Sequence, residues 1–174
     1  MIHNKHLNKH LISLASALTL VGIAPTFAQP NAGFIIFGNA RDVAMDYCLD
    51  SGYANQYDSY YLELKTQKFK YSEIIVTYPE HFNPMADLAA VELYQSVECR
   101  GGKKIAIASA QWDKEARRIT IIPKEPIPAN TPVRLVLSNV RNPSLAGIFQ
   151  IDARVLRADV PVPVYIGSWL VSLQ

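Results

Sequence analysis

From Tyr60 onward, apolar and polar side chains alternate with a period of two. Tyr60, Leu62 and Leu64 fall on one side of an extended chain, and Tyr61, Glu63 and Lys65 on the other. The same alternation recurs in Ile74-Val76-Tyr78, Ile105-Ile107, Ile119-Ile121, Val133-Leu135-Leu137 and Phe149-Ile151-Ala153-Val155. Successive side chains of a strand point to opposite faces, so these runs predict strands with one buried face. Turn-forming clusters separate them: Arg100-Gly101-Gly102-Lys103, Asp113-Lys114-Glu115-Ala116 and Asn142-Pro143-Ser144-Leu145-Ala146-Gly147. Many short strands divided by turns predict an all-β antiparallel sandwich or barrel. In the N-terminal third, residues 33–38 (GFIIFG) read as a first strand and residues 39–58 as a long connection. The stretch MADLAA, within residues 84–90, reads as one short helical turn before the strand-like Val91-Glu92-Leu93-Tyr94.

Four prolines interrupt the most apolar half of the chain. Pro123 and Pro126 follow the strand ending at Ile122, Pro128 precedes Ala129-Asn130, and Pro132 opens the next strand. Proline has no N–H to give to a ladder, so each is placed where none is required, and the segment is expected to be an extended crossover. A polyproline docking ligand is the other reading of Pro123 and Pro126.

The first 28 residues have a separate character. A basic, polar start (MIHNKHLNKH) leads into an apolar run over residues 11–24, then Pro25-Thr26-Phe27-Ala28 with small residues at the positions a signal peptidase inspects. Residues 1–28 are expected to be a signal peptide cleaved after Ala28, leaving residues 29–174 as a single sandwich domain. An uncleaved anchor is the alternative, although the apolar run is shorter than the about 20 residues a spanning helix needs. No cysteine lies near the cleavage site to carry a lipid.

The leader also carries two of the 17 Lys and Arg residues, Lys5 and Lys9, so the remainder balances 15 basic against 15 acidic side chains. Such a balance offers no broad basic surface for nucleic acid. His3, His6 and His10 leave with the leader too, and His81 is then the one imidazole left. A nucleophilic triad needs its imidazole beside the nucleophile and a zinc site wants two or more His or Cys ligands, so His81, in the apparent loop Pro79-Glu80-His81-Phe82-Asn83-Pro84, reads as a solvated residue, with a copper or zinc ligand as the alternative. Cys48 and Cys99 are read as a possible disulfide, since exported cysteines tend to join; two buried free thiols are the alternative.

Three constellations invite a functional reading. Tyr53, Tyr57, Tyr60 and Tyr61, with Tyr47 nearby, form a candidate contact patch, tyrosine being common at recognition surfaces and also in ordinary strand packing. Arg141, Asn142, Pro143 and Gly147 read as a structural turn motif in which Gly147 takes a positive φ; an anion contact through Arg141 is the sharper alternative. Asp50, Asn55 and Asp58 supply oxygen ligands for calcium, with no EF-hand spacing, and Asp42, Asp46 and Asp50 recur every fourth residue; a solvated loop is the plainer reading. Trp112 and Trp169 read as core or sheet-face residues. Asp113 and Glu115 read as turn residues, and no spacing singles out a catalytic carboxylate pair.

The order of short pieces carries a resemblance. Trp112-Asp113, Arg118-Ile119-Thr120-Ile121, Pro126-Ile127-Pro128, Thr131-Pro132-Val133, Leu135-Val136-Leu137, Val140-Arg141-Asn142-Pro143, Gly147-Ile148-Phe149 and Tyr165-Ile166-Gly167 resemble the family called domain of unknown function 2808, over roughly residues 60–173. That resemblance implies an exported cyanobacterial protein with one immunoglobulin-like antiparallel β-sandwich, and no activity. A looser similarity to periplasmic copper carriers does not extend to their histidines, because Gln29-Pro30-Asn31-Ala32 has none. The expected function is therefore non-catalytic: contact with a protein or envelope component, in the periplasm, thylakoid lumen or cell surface. No cofactor and no nucleic acid partner are expected, and the membrane is met only through the leader. A small-ligand or metal-binding module, for calcium or a glycan, is the alternative.

Overall fold

The computed structural model describes residues 43–80, 82, 90–96 and 98–174. Ten strands follow one another along these residues: β1 (Tyr47–Leu49), β2 (Tyr57–Leu64), β3 (Tyr71–Thr77), β4 (Val91–Gln95), β5 (Lys103–Ile105), β6 (Ile107–Asp113), β7 (Arg118–Pro123), β8 (Val133–Arg141), β9 (Gly147–Arg157) and β10 (Pro163–Leu173). They form two five-stranded sheets, ordered β1-β2-β8-β4-β5 and β10-β9-β3-β7-β6, with every strand pairing antiparallel. Of the two antiparallel architectures that the alternation allowed, sandwich and barrel, the sandwich is the one found.

The alternation sets the faces as predicted. Tyr60, Leu62 and Leu64 of β2, Leu135 and Leu137 of β8, Ile74 and Val76 of β3, and Ile151, Ala153 and Val155 of β9 are all buried between the sheets. Burying each larger aliphatic contributes roughly 1.5–3 kcal/mol. Phe82 enters from the β3–β4 connection and packs its ring 6.0 Å from Tyr60, 6.1 Å from Tyr78 and 5.3 Å from Phe149. At the other flank the fully buried Trp169 donates its indole N–H to the Glu63 carbonyl at 2.9 Å, joining β10 to β2 across the sandwich.

Two features depart from the sequence reading. The long connection expected over residues 39–58 contains β1, whose three residues pair Tyr47 with Leu62, Cys48 with Tyr61 and Leu49 with Tyr60. Three residues are too few to show a period. Ile105 and Ile107, read as one run, belong to different strands in different sheets, because the chain changes sheet at Ala106. The leader, the first strand at 33–38, His81 and the helical turn at 84–90 fall wholly or almost wholly outside the described residues.

The proline segment is a crossover from β7 in one sheet to β8 in the other. Its Ile127 is buried and exchanges two backbone hydrogen bonds with Tyr71, at 2.8 and 3.1 Å, while the Asn130 N–H reaches the Gln67 carbonyl at 2.7 Å. A second close approach falls at Gly167, where φ is +149° and a Cβ would lie 2.7 Å from the Val43 carbonyl. Glycine there lets residues 43–45 run against β10, with the Met45 N–H on the Ser168 carbonyl at 2.8 Å.

Arg134 exposes a further layer. It lies on β8 between the inward-facing Val133 and Leu135, so it points away from the core, yet only 2% of it is exposed. What covers it is the β4–β5 connection, whose residues 96 and 98–102 lie over the outer face of its own sheet. The guanidinium donates to the carbonyls of Glu98 and Gly101 and to the Ser96 hydroxyl, and it stacks 5.0 Å from the Tyr94 ring. Arg100 lies 5.1 Å above Tyr61 and pairs with Asp50 at 2.6 Å. The expected Cys48–Cys99 disulfide is present and ties this strap to β1, two strands beyond β8.

Two measurements test the strap. Replacing Cys48 and Cys99 together by Ser is expected to lower unfolding free energy by about 4 kcal/mol, the chain-entropy value for a loop of this size, in urea denaturation. Arg134→Met keeps the stem but leaves two strap carbonyls without a donor, with an expected loss of roughly 2 kcal/mol. A change below about 0.5 kcal/mol, the usual range for an ordinary surface site, would remove Arg134 from this role.

Candidate functional site

β2 begins with a carboxylate that water does not reach: Asp58 is 4% exposed. Its Oδ1 accepts the N–H groups of Asp50 at 2.9 Å, Ser51 at 3.0 Å and Ser59 at 2.8 Å. Its Oδ2 accepts the Gly52 N–H at 2.8 Å, the Ser51 hydroxyl at 3.2 Å and the Asn142 amide at 3.1 Å. Burial is the largest influence on Asp58 and opposes its charge. The donors from Gly52, Ser51, Asn142 and Ser59 together outweigh it, so the carboxyl is held below its ordinary value.

Asn142 completes the tie. It is buried at the end of β8, its amide also donating to the Tyr53 carbonyl at 2.8 Å and its Oδ1 accepting the Tyr60 hydroxyl at 2.6 Å. Burial, and then the negative charge of Asp58, push the Tyr60 phenol well above its ordinary pKa, so it stays a donor. Backbone pairs fix the rest of the β1–β2 connection: Asn55 N–H to the Pro143 carbonyl and Ala54 N–H to the Gln174 carbonyl, both 2.7 Å, and Asn142 N–H to the Gln56 carbonyl at 2.8 Å. The turn between β8 and β9 is thereby locked to residues 50–57. Gly147 takes the positive φ expected of it, +156°.

This locked end carries exposed apolar groups. Tyr53 is 51% exposed, Tyr57 63%, Leu145 73% and Ile148 60%. Arg141 stands beside Tyr57, with its guanidinium 5.9 Å from the ring and donating to the Asn55 side chain at 3.1 Å. The candidate tyrosine patch therefore divides. Tyr53 and Tyr57 face solvent, Tyr60 is fully buried in the Asn142 tie, and Tyr61 is half-buried under the strap beside Arg100. Tyr60 belongs to the core because it shares the inward phase of β2 with Leu62 and Leu64. Leu145 and Ile148 were missed, although LAGI in a turn is an unusual concentration of apolar residues for a loop.

The oxygen set Asp50, Asn55 and Asp58 does not converge on an open position. Both oxygens of Asp58 face N–H or O–H donors, Asp50 pairs with Arg100, and Asn55 accepts from Arg141. Donors around a carboxylate repel a cation, and among the described residues no group of three His, Cys, Asp or Glu side chains is placed to hold a metal. Trp112 is half-buried at the sheet margin, donating to the Tyr78 hydroxyl at 2.5 Å with Lys114 4.9 Å from its ring. The void inside the core, about 10 Å³ between Tyr60, Val76, Tyr78, Phe82 and neighbouring aliphatics, is too small for a ligand.

Asp58→Asn tests the tie, because either amide orientation turns an NH2 group toward backbone donors. The expected loss is roughly 3 kcal/mol in chemical denaturation. The folded pKa of Asp58 is depressed, so its stabilisation is complete above the ordinary value of 3.8 and is lost as pH falls through the lower folded value. Melting temperatures of wild type and Asp58→Asn should therefore converge below about pH 4. A gap that stays constant into acid would show that the charge of Asp58 does not matter.

Comparison with known proteins places this geometry. The family described as "Protein of unknown function (DUF2808)" matches residues 34–173. No curated protein sequence matches the chain. Among solved structures, the fold is similar to that of BslA, a bacterial hydrophobin, at a TM-score of 0.50 and 11% identity, covering 76% of this chain and 94% of that one. A collagen-binding domain from a Staphylococcus aureus adhesin is similar at a TM-score of 0.36 and 8% identity, over 66% and 85% of the two chains. Self-complemented MyfA, the major subunit of Myf fimbriae from Yersinia enterocolitica, is similar at 0.33 and 10%, over 75% and 98%. At these identities the likeness is one of fold. The family match extends from ahead of β1 to the last residue of β10, and the chain belongs to the DUF2808 family.

Proposed function

We propose that the protein is a non-catalytic exported module that binds another protein or an envelope component through the end of the sandwich bearing Tyr53, Tyr57, Arg141, Leu145 and Ile148. One observation carries this reading: Tyr53 and Leu145 stand exposed on two adjoining turns locked by Asp58 and Asn142, and Tyr57 and Ile148 stand exposed at the starts of the strands that follow them. Exposed apolar side chains in a contiguous group mark interaction surfaces, and aromatic residues with arginine are the usual anchors. A locked backbone lowers the entropy lost on association. The Cys48–Cys99 disulfide supports an oxidising compartment, as does the leader expected over residues 1–28.

Capture of partners from the native envelope, quantified for wild type and for Tyr57→Ala and Leu145→Ser, tests the surface. Both positions are exposed, so melting temperature is expected to stay within the range of ordinary surface substitutions. Recovery of the partner should fall by roughly tenfold or more for an anchor residue. Equal recovery from all three proteins would reject this end as the binding surface.

A further inference from the structure

Each five-stranded sheet has two edges, and an edge strand presents unpaired N–H and C=O groups that template pairing with another chain. Three of the four edges are blunted. β1 is three residues long and carries the disulfide, and β5 is three residues long with Lys103 and Lys104. β10 is long but covered: Met45 bonds the Ser168 carbonyl, the Tyr47 hydroxyl accepts the Ser172 N–H at 2.9 Å, and residues 52 and 54 pair with Gln174. The fourth edge, β6, has seven residues, IASAQWD, and no described residue pairs with its outer side. A bulge at Ile107–Ser109 bends its start, and from Ser109 to Asp113 it pairs regularly with β7.

The direction of its backbone groups follows from the neighbouring ladder. Tyr78 donates to the Arg117 carbonyl, continuing the β3–β7 register, so residues 117, 119 and 121 bond toward β3 and residues 118, 120 and 122 toward β6. Their partners Asp113, Gln111 and Ser109 face β7. Ala110 and Trp112 are left with N–H and C=O groups directed outward.

We propose that β6 is a homodimer interface, pairing antiparallel with β6 of a second copy across a two-fold axis at Gln111. That register opposes Ala110 to Trp112, the two residues with outward backbone groups, and forms about four backbone hydrogen bonds. It is self-complementary in side chains as well. A small residue meets the large indole, Ser109 faces Asp113, the exposed Gln111 meets its own copy as donor and acceptor, and no like charges are opposed. The two sheets containing β6 become one of ten strands. An interface of one short strand pair lies at the small end of specific contacts, so the dimer forms reversibly with concentration. This surface is separate from the tyrosine-bearing end and does not depend on it.

Sedimentation velocity over a concentration series tests the pairing. Wild type is expected to shift from monomer toward dimer as concentration rises. Ala110→Pro deletes an N–H that the monomer does not use, at an edge position where proline is tolerated, and should weaken the dimer about tenfold or more. Gln111→Lys and Gln111→Glu each place like charges across the axis and should each be monomeric, while a mixture of the two recovers a heterodimer. Unchanged melting temperatures separate these effects from misfolding. A wild type that stays monomeric throughout, a dimer indifferent to Ala110→Pro, or a mixture that fails to recover association would each overturn the proposal.

Discussion

Two sheets packed face to face satisfy their interior by burying aliphatic side chains, but they leave the polar backbone at their rims without partners. That constraint organises everything outside the core of this protein. At one end a single buried carboxylate, Asp58, gathers the N–H groups of the β1–β2 connection, and Asn142 joins it to the turn after β8. Over one sheet face the guanidinium of Arg134 does the converse, gathering carbonyls of the strap. An anion collects donors and a cation collects acceptors, and each gains by doing so in a place from which water is excluded.

The consequence for function is one of presentation. Turns pinned by internal backbone hydrogen bonds have no need to fold their side chains inward, and Tyr53 and Leu145 stand clear of them, as does Tyr57 at the start of β2. The same internal satisfaction explains why the acids nearby are poor candidates for metal or acid–base chemistry. Asp58 is committed to donors on both oxygens, and Asp50 is neutralised by Arg100. The residues with the most distinctive electrostatics thus serve the scaffold, and the recognition proposed for this end would rest on apolar groups with little chemistry of their own.

Edges follow the same logic. Short length, lysines, a disulfide and a covering N-terminal segment are different answers to one physical problem, the stickiness of an unpaired ladder. The covering of β10 draws together residues far apart in sequence: Tyr47 reaches Ser172, and Gly52 and Ala54 reach Gln174. Such contacts tie the start of the described chain to its end and close the sandwich along that side.

The strands β2, β3, β4, β7, β8 and β9 were legible because period-two alternation follows directly from the pleat, and the prolines between β7 and β8 could be placed because a missing N–H excludes them from a ladder. The disulfide could be offered as a possibility from an expected export and a count of two cysteines. Less visible were β1, too short to show a period, and the change of sheet at Ala106, which leaves the alternation of Ile105 and Ile107 unbroken in sequence while splitting it in space. The roles of Asp58, Asn142, Tyr60 and Arg134 were invisible. An aspartate in a loop, a tyrosine in a strand and an arginine between two aliphatics each has an ordinary reading, and what makes these four special is partners 33 to 89 residues away. Sequence by itself determined most of the strand pattern and the fold class, and offered Cys48 and Cys99 as a possible pair, because those readings depend on local periodicity and residue type. Only the tertiary structure decided which tyrosines meet solvent, which charges are buried and which edge stays open, because burial and pairing belong to neighbours that chain order does not name.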